Sequence, residues 1–531
     1  MNLKRILEKI SASAGRRVNS TRNVTVSLAV SIFSLILSFF SRTVFINKLS
    51  AEYLGLSGLF SNILSFLFLS ELGIGNAFSF ALYKPLKDGD KGNLSSIMAL
   101  FRKLYHIVGM IILVTGLLIT PFLSFFLKNE PENIPDIQLY FVVMVVGTAL
   151  SFLFSYKRIL LISDQKEYIS NLIFGIFRFL AAASQIIILL YTGSYFWYLI
   201  AMIGCGLMEN LTAAYVANIL YPFLSDKNPA PLSIEDRKEL KKNTFAIFMH
   251  KIGGTLVFSS DNIIISKYVG LIPIGLYSNY ALIITSIDGI LNKAMLSLTA
   301  SIGNLMTSSD SDYQQKIFSH VLLLNCWIYG AASVCLLCLM EPFLNLWIGS
   351  NYLLENTVLI LAILSFYITG IRKTLLIFKD ASGIFTQDKY KPLIEGLVNI
   401  LVSIPLAIHF GIQGVILGTI ISTLCVAFWF EAFVFFRNRF HRGFGEYLFV
   451  QLRFILLNFI IASLCCFLCK FINLNPLWNL LVRIPICLIV PSFIYLVIFR
   501  KTESFAYFQD LISPYIKKFG IRLGQNPNRE V

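Results

Sequence analysis

The amino-acid sequence predicts an all-α polytopic membrane protein, and three observations support this fold class. Hydrophobic residues make up 56% of the 531 residues and charged residues only 14%, whereas soluble proteins carry roughly 25% charged residues. Mean hydropathy is +0.73. Apolar runs of about 20 residues, the length that crosses a bilayer, recur along the chain. A soluble fold of this size would lack polar surface, and disorder, collagen and coiled coil each require a different composition.

The apolar runs define about 14 predicted transmembrane helices. In order, the spans are 25–48, 54–82, 104–127, 137–160, 169–191, 195–221, 244–268, 274–306, 317–343, 357–378, 393–409, 412–436, 450–471 and 480–499. Spans eleven and twelve form a tight hairpin around Gly411. The predicted organisation is a basic amphipathic segment (1–24), an N-lobe of six helices (25–221), a linker (222–243), a C-lobe of six helices (244–436), a helix pair (450–499) and an amphipathic tail (500–531).

The distribution of basic residues orients these spans. With the N-terminus inside, 34 of the 44 Lys and Arg residues lie in inside segments or at the inside ends of spans, and only four lie in outside segments or at the outside ends of spans. Cytoplasmic segments of membrane proteins are enriched in Lys and Arg, so both termini are expected to be cytoplasmic. The net charge of +15 has the same explanation, and nucleic acid is not an expected partner. The nine Cys and five His show no metal-ligand spacing, so no metal or cofactor is expected.

A weak internal repeat relates the two predicted lobes. Arg42 to Lys48 and Asp261 to Lys267 are both six-residue steps, and each is followed by a Gly-Leu pair, Gly55-Leu56 or Gly275-Leu276. The copies are six helices apart and therefore have the same orientation in the membrane. Parallel repeats are a transporter architecture with the substrate path between them. Chance similarity between apolar segments is the alternative.

Eight charged residues fall well inside predicted spans. A charge at the bilayer centre costs about 2.5–3.5 kcal/mol on insertion scales, so most of them must face a hydrated cavity or pair with each other. Polar residues share helix faces with several of them. The bases predicted to bind an anionic cargo are Arg42, Arg178, Lys251 and Lys293; the acids that could couple transport to a cation are Glu71, Glu209, Asp261 and Asp288; and the predicted polar lining is Ser31, Ser38, Asn171, Gln185, Thr255, Asn262 and Asn292.

Two segments carry a resemblance to a known family. The segments 53–86 (YLGLSGLFSNILSFLFLSELGIGNAFSFALYKPL) and 259–280 (SSDNIIISKYVGLIPIGLYSNY) resemble the bacterial polysaccharide transporter flippases of the multidrug/oligosaccharidyl-lipid/polysaccharide exporter superfamily. The resemblance implies two six-helix lobes around a central cationic cavity, a C-terminal helix pair and alternating access. It also implies a non-enzymatic function in the bacterial cytoplasmic membrane, with a lipid-linked oligosaccharide, membrane lipids and other polysaccharide-assembly proteins as partners.

Three functions are compared on this basis. The leading hypothesis is a flippase that moves an undecaprenyl-diphosphate-linked oligosaccharide from the inner to the outer leaflet. Arg grips phosphate oxygens bidentately, and Lys adds a point charge. A cation-coupled drug or metabolite exporter of the same superfamily is the first alternative, although its cavity would more naturally be acidic. A membrane-embedded glycan polymerase or acyltransferase is the second, although it would need longer outer loops than this sequence provides.

The predicted orientation is testable by cysteine labelling in intact cells. We expect an impermeant thiol reagent to label a cysteine placed in loop 128–136 or loop 344–356, because both are predicted to face outward. Lys238→Cys, in the predicted linker, should be labelled only after the cells are permeabilised. Labelling of Lys238→Cys in intact cells would overturn this orientation.

Overall fold

A computed structural model of the chain describes residues 16–68, 74–129, 133–225, 254–257, 259–308, 310–384, 387–472 and 474–509, with the single residues 131, 232, 238, 240 and 252. No strand occurs among these residues. Several predictions lie outside them: most of the amphipathic segment 1–24 and of the linker 222–243, and the tail beyond residue 509.

The described residues form a succession of α-helices joined by short turns. In chain order these are α1 (Arg16–Lys48), α2 (Ala51–Leu67), α3 (Ile74–Asp88), α4 (Lys91–Ile119), α5 (Ile137–Ser155), α6 (Arg158–Ser163), α7 (Glu167–Thr192), α8 (Tyr195–Leu220), α9 (259–268), α10 (Leu271–Leu296), α11 (Thr299–Ser308), α12 (Ser311–Ile348), α13 (Asn356–Ile371), α14 (Lys373–Ala381), α15 (Lys391–Ser422), α16 (Trp429–Asn438), α17 (Phe444–Lys470) and α18 (Pro476–Phe499).

The predicted fold class is confirmed. Within the described residues, 11 helices are long and apolar enough to cross a membrane. One of them, 391–438, contains the predicted hairpin, because Gly411 has φ 60° and ψ −138° and interrupts the helix. Predicted spans 54–82 and 244–268 include residues that the structure does not describe. The number of 14 spans therefore stays a prediction.

One predicted span is divided differently in the structure. The eighth span, 274–306, consists of two helices, α10 and α11, separated by a turn at residues 297–298. The hydroxyl of Ser297 donates a 2.6 Å hydrogen bond to the carbonyl of Ala294. Such local side-chain bonds compete with the helical backbone ladder.

The chain divides into two compact units. The first contains residues 1–279 and 389–422. In this unit α1 packs against α7, α7 against α8, and α4 against α5. A large apolar cluster of this unit joins α3, α4 and α6, where the stacked rings of Phe78 and Phe101 lie 4.4 Å apart. These bounds differ from those of the predicted lobes, which remain a sequence-based division.

The second unit contains residues 280–388 and 423–531. The long helix α12 is its centre and contacts α13, α17 and α18. Near the start of α12, the ring of Phe318 lies within 5–6 Å of a group of aromatic rings from α14, α16, α17 and the turn before α17, namely Phe378, Phe435, Phe436, Phe440 and Tyr447. This aromatic cluster connects the start of α12 to helices distant in sequence.

Two glycines of the sequence repeat meet within the first unit. A Cβ on Gly55 of α2 would overlap the carbonyl of Leu271, and a Cβ on Gly275 of α10 would overlap the carbonyl of Ala51. The contact is reciprocal, because a Cβ on Gly275 would also lie 3.2 Å from the backbone nitrogen of Gly55. Small residues allow membrane helices to approach this closely. The repeat therefore marks a direct helix–helix crossing.

We expect Gly55→Ala and Gly275→Ala each to destabilise the protein by about 1–3 kcal/mol, the usual effect of overpacking. The added methyl would meet a backbone carbonyl that cannot rotate away. Gly206→Ala is the matched control, because nothing lies within 4 Å of the position its Cβ would take. Thermal unfolding in detergent would measure the difference, and equal melting temperatures for all three variants would refute the crossing.

Candidate functional site

Two of the four predicted cargo-binding bases come together in the first unit. Arg42 lies on α1 and donates a hydrogen bond of 3.1 Å to the hydroxyl of Ser278. Arg178 lies on α7 and donates one of 3.3 Å to the hydroxyl of Ser38, which is one turn before Arg42 on α1. The packing of α1 on α7 thus brings two guanidinium groups to one helix face. We call Arg42 and Arg178 the arginine pair.

Tyr198 of α8 joins this arrangement. Its hydroxyl lies near Ser41 and interacts electrostatically with both Arg42 and Arg178. Within the described part of the chain, neither arginine has a carboxylate within ion-pair distance. An arginine offers five N–H donors, and the hydrogen bonds described here use one from each. The arginine pair therefore keeps most of its donors and its charge for a ligand.

The other two bases are not placed with the arginine pair. Lys251 lies outside the described residues. Lys293 is exposed near the end of α10, in the second unit. The structure thus brings together half of the predicted set of bases.

Two of the predicted acids are held in ion pairs with bases that were not among the candidates. Glu209 pairs with Arg158, which also donates a 3.4 Å hydrogen bond to Asn210. The carboxylate of Asp288 lies 3.7 Å from the ammonium of Lys373. It also accepts a 3.0 Å hydrogen bond from the hydroxyl of Tyr329. Glu71 lies outside the described residues. Paired acids of this kind stabilise their surroundings and are poorly placed to bind a mobile ion.

Asp261 has neutral partners instead. Its Oδ2 accepts a 2.9 Å hydrogen bond from Thr419, and Thr419 accepts one of 3.0 Å from the Asn399 amide. Asn399 in turn accepts one of 3.1 Å from Ser260. Ser260, Asp261, Asn399 and Thr419 form what we call the oxygen network. Inside the first unit it links α9 to both arms of α15, namely residues 391–410 before Gly411 and residues 412–422 after it.

The network has more acceptors than donors. The single proton of the Thr419 hydroxyl faces two acceptors, Asp261 Oδ2 and the Val415 carbonyl at 3.2 Å. Asp261 Oδ1 is buried and has no hydrogen-bond partner among the described residues. Buried polar atoms are normally satisfied. The excess of oxygen acceptors around a buried carboxylate fits a bound cation or proton.

The predicted polar lining is distributed over the same helices. The hydroxyls of Ser31 and Ser38 donate to the carbonyls of Ser27 and Ser34 on their own helix. Gln185 is buried. The remaining predicted residues share an intermediate exposure, and they are Asn171, Thr255, Asn262 and Asn292. The side-chain nitrogen of Asn171 is buried without a hydrogen-bond partner among the described residues.

Sequence reasoning missed Asn399, Thr419 and Tyr198. All three are neutral, so the cost of burying a charge, which marks the charged candidates in the sequence, does not single them out. Asn399 and Ser403 are one turn apart on the first arm of α15, and Thr419 lies on the second arm. The signal available in the sequence was that polar residues occur on both arms of a predicted apolar hairpin.

Comparison with solved structures identifies the fold. The lipid II flippase MurJ, in an inward closed conformation, matches with a TM-score of 0.65 and 15% identity over 90% of this chain and 99% of that chain. An inward-facing multidrug resistance MATE family transporter of the MOP superfamily matches with a TM-score of 0.59 and 13% identity over 77% and 98%. A mutant of the Vibrio cholerae MATE transporter VcmN matches with a TM-score of 0.55 and 12% identity over 81% of this chain and 99% of that chain.

The chain therefore shares the fold of these solved structures. The lipid II flippase and the multidrug transporters share this fold with it over at least three quarters of its length. No protein-family model and no curated protein matches the sequence. The function must therefore be inferred from the site.

Proposed function

We propose that this protein is a flippase that moves an undecaprenyl-diphosphate-linked oligosaccharide from the inner to the outer leaflet by alternating access. The observation that carries the proposal is the arginine pair. The proposed place of action is the bacterial cytoplasmic membrane, with both termini in the cytoplasm. The product would feed the synthesis of capsule, O-antigen or exopolysaccharide, together with other polysaccharide-assembly proteins.

The arginine pair suits a diphosphate. Two guanidinium groups that lack carboxylate partners among the described residues present planar sets of donors, which match phosphate oxygens in pairs. The cost of keeping these charges inside the membrane-spanning helices is offset when an anionic headgroup binds. Each arginine rests on a hydroxyl, Ser38 or Ser278, which holds it in place without neutralising it.

The hydroxyls and amides around the arginine pair suit a glycan. Tyr198 interacts with both guanidinium groups and lies near Ser41, and Asn171 is two turns before Arg178 on α7. Sugar hydroxyls both donate and accept hydrogen bonds, so neutral groups of this kind bind them without charge. In this proposal the lipid tail stays in the bilayer while the diphosphate and glycan pass through the protein.

The same geometry distinguishes this cargo from that of a drug exporter. A cavity for cationic drugs needs acids that are free to bind them. Here Glu209 and Asp288 are occupied by Arg158 and Lys373, whereas Arg42 and Arg178 have no acidic partner in the described part of the chain. Asp261 has no basic partner among the described residues, but its carboxylate is buried within the oxygen network. The charge available to a cargo at the arginine pair is therefore positive, and it favours an anionic headgroup over a cationic drug.

The oxygen network around Asp261 supports a second component of the proposal, namely coupling to a monovalent cation. A carboxylate, the hydroxyl of Thr419, the amide oxygen of Asn399 and the carbonyl of Val415 offer a hard cation the oxygen ligands that it prefers. Both arms of α15 and helix α9 contribute, so a cation bound here would bias their relative packing. A ligand shifts a conformational equilibrium only through such differential binding.

We expect Arg42→Ala and Arg178→Ala each to reduce flipping at least tenfold in proteoliposomes that contain a defined lipid-linked oligosaccharide. Lysine at either position should restore transport only in part, because it lacks the bidentate fork. Arg453→Ala is the matched control: this exposed arginine lies 4.3 Å above the ring of Phe449 in α17. Its removal should leave flipping unchanged.

Stability measurements separate this role from a structural one. Arg372 forms a buried ion pair of 2.7 Å with Glu431, and breaking such a pair costs about 3–5 kcal/mol. Arg372→Ala should therefore lower the melting temperature strongly, whereas Arg42→Ala and Arg178→Ala should melt close to the wild type. Full transport by both arginine variants at normal expression would refute the proposed site.

For the coupling component, we expect an imposed sodium gradient to accelerate flipping by the wild type and to have no effect on Asp261→Asn. The substitution keeps the shape of the side chain but removes the charge that binds the cation. Thr419→Val should weaken the sodium dependence in the same direction. An Asp261→Asn variant that still responds fully to the gradient would rule out coupling at this site without affecting the assignment of the cargo.

A further inference from the structure

Three cysteines from three different helices converge inside the second unit. Cys338 lies on α12, Cys469 on α17 and Cys487 on α18, and all three are buried. Their sulfur atoms all lie within 4.8 Å of one another. The sequence alone predicted no metal site, because cysteines spread over 150 positions show no ligand spacing. Only the packing of α12 against α17 and α18 reveals the cluster.

The geometry suits a three-coordinate metal ion. A metal–thiolate bond is about 2.3 Å long, so three sulfurs around one ion lie roughly 4 Å apart. No histidine or carboxylate belongs to this cluster among the described residues. Thiolate ligands select soft ions such as Cu(I), whereas structural zinc requires four ligands. A set of three sulfurs therefore favours Cu(I) over zinc.

A fourth thiol lies beside the cluster without completing it. The sulfur of Cys466 is 3.7 Å from that of Cys338, but it does not belong to the group in which every pair lies within 4.8 Å. Cys335 does not belong to that group either, and its thiol donates a 3.5 Å hydrogen bond to the carbonyl of Cys487. Cys466 is thus close enough to transfer a metal ion to the cluster, whereas Cys335 is a neighbouring cysteine that is not a ligand.

An arginine compensates the charge that the ion would bring. Arg483 of α18 donates to the carbonyl of Cys469 at 3.1 Å and to that of Cys338 at 3.5 Å. Its Nε is buried without a hydrogen-bond partner among the described residues. Three thiolates on one monovalent ion carry two net negative charges, and an uncompensated charge in this setting would be costly. The guanidinium lies against two of the three ligand residues and offsets part of that charge.

We propose that Cys338, Cys469 and Cys487 form a binding site for a soft monovalent metal ion, with Cu(I) as the natural occupant. As each metal–sulfur bond forms, the thiol proton is released to the solvent, so binding is expected to strengthen as the pH rises. No electron transfer is involved. The site lies on α12 and the C-terminal helix pair and does not depend on the identity of the transported lipid.

The test uses the full-length protein, purified in detergent under anaerobic reducing conditions. Cu(I) is supplied from a chromophoric Cu(I) chelator, and the copper retained after desalting is measured by atomic emission. We expect one copper per chain in the wild type and none in the triple variant Cys338→Ser, Cys469→Ser, Cys487→Ser. X-ray absorption at the copper edge should show three sulfur neighbours.

Further variants keep the test decisive if the triple variant folds poorly. The single variant Cys338→Ser should bind Cu(I) at least tenfold more weakly, and so should Arg483→Gln. Cys335→Ser and Cys425→Ser are the matched controls and should bind as the wild type does. Three results would each overturn the proposal: copper retained by the triple variant, equal retention of zinc by the wild type, or a disulfide among these cysteines in protein isolated without reductant.

Discussion

The free energy of burying an unsatisfied charge among membrane-spanning helices governs most of the features described here. Arg158 with Glu209, Lys373 with Asp288 and Arg372 with Glu431 each satisfy that constraint inside one compact unit. Because these pairs are complete, the helices that carry them can pack as rigid elements. The exceptions then become informative, since a charge that the protein leaves without a counter-charge must gain its compensation from outside the chain.

Two exceptions stand in the first unit, and they have opposite signs. The arginine pair presents positive charge without an acidic partner in the described residues, while Asp261 presents an acceptor-rich oxygen network. An anionic cargo and a cationic driver are the complementary ligands. Both sites depend on helices of the same unit, and α10 contributes Ser278 to one of them and Gly275 to the crossing with α2. Binding and helix packing are thereby connected through a few residues of one helix.

The sequence was sufficient for those features that depend on composition and periodicity. The helical class, the hairpin at Gly411 and the pairing of Ser38 with Arg42 on one helix face all follow from local patterns. The repeat located Gly55 and Gly275, but it could not show that they touch, because contact depends on how distant helices pack. Asn399 and Thr419 were not predicted for a related reason. Burying a neutral side chain costs little free energy, so the cost of burying a charge does not identify such residues.

The same limit applies to Cys338, Cys469 and Cys487. Their spacing along the chain contains no sign of a common site, since a cluster built from three helices is a property of tertiary packing alone. The partners of the acids were missed in a different way. Arg158 and Lys373 lie near the ends of predicted spans, where bases are expected to reach the membrane surface, so they were not counted among the intramembrane charges.

The boundaries between the compact units have a mechanical consequence. The chain leaves the first unit at residue 279, in the middle of α10, and again at residue 422, where a π-helical segment Thr423–Phe428 continues α15 without a loop. Helix α10 is continuous through residue 279, so a rotation at that point would have to bend the helix and break or lengthen its backbone hydrogen bonds. A π-helical turn holds an extra residue and is a natural point of compliance. Any relative motion of the units would therefore have to deform a continuous helix at residues 279 and 422, whereas residues 387–390, where the chain re-enters the first unit, form a turn.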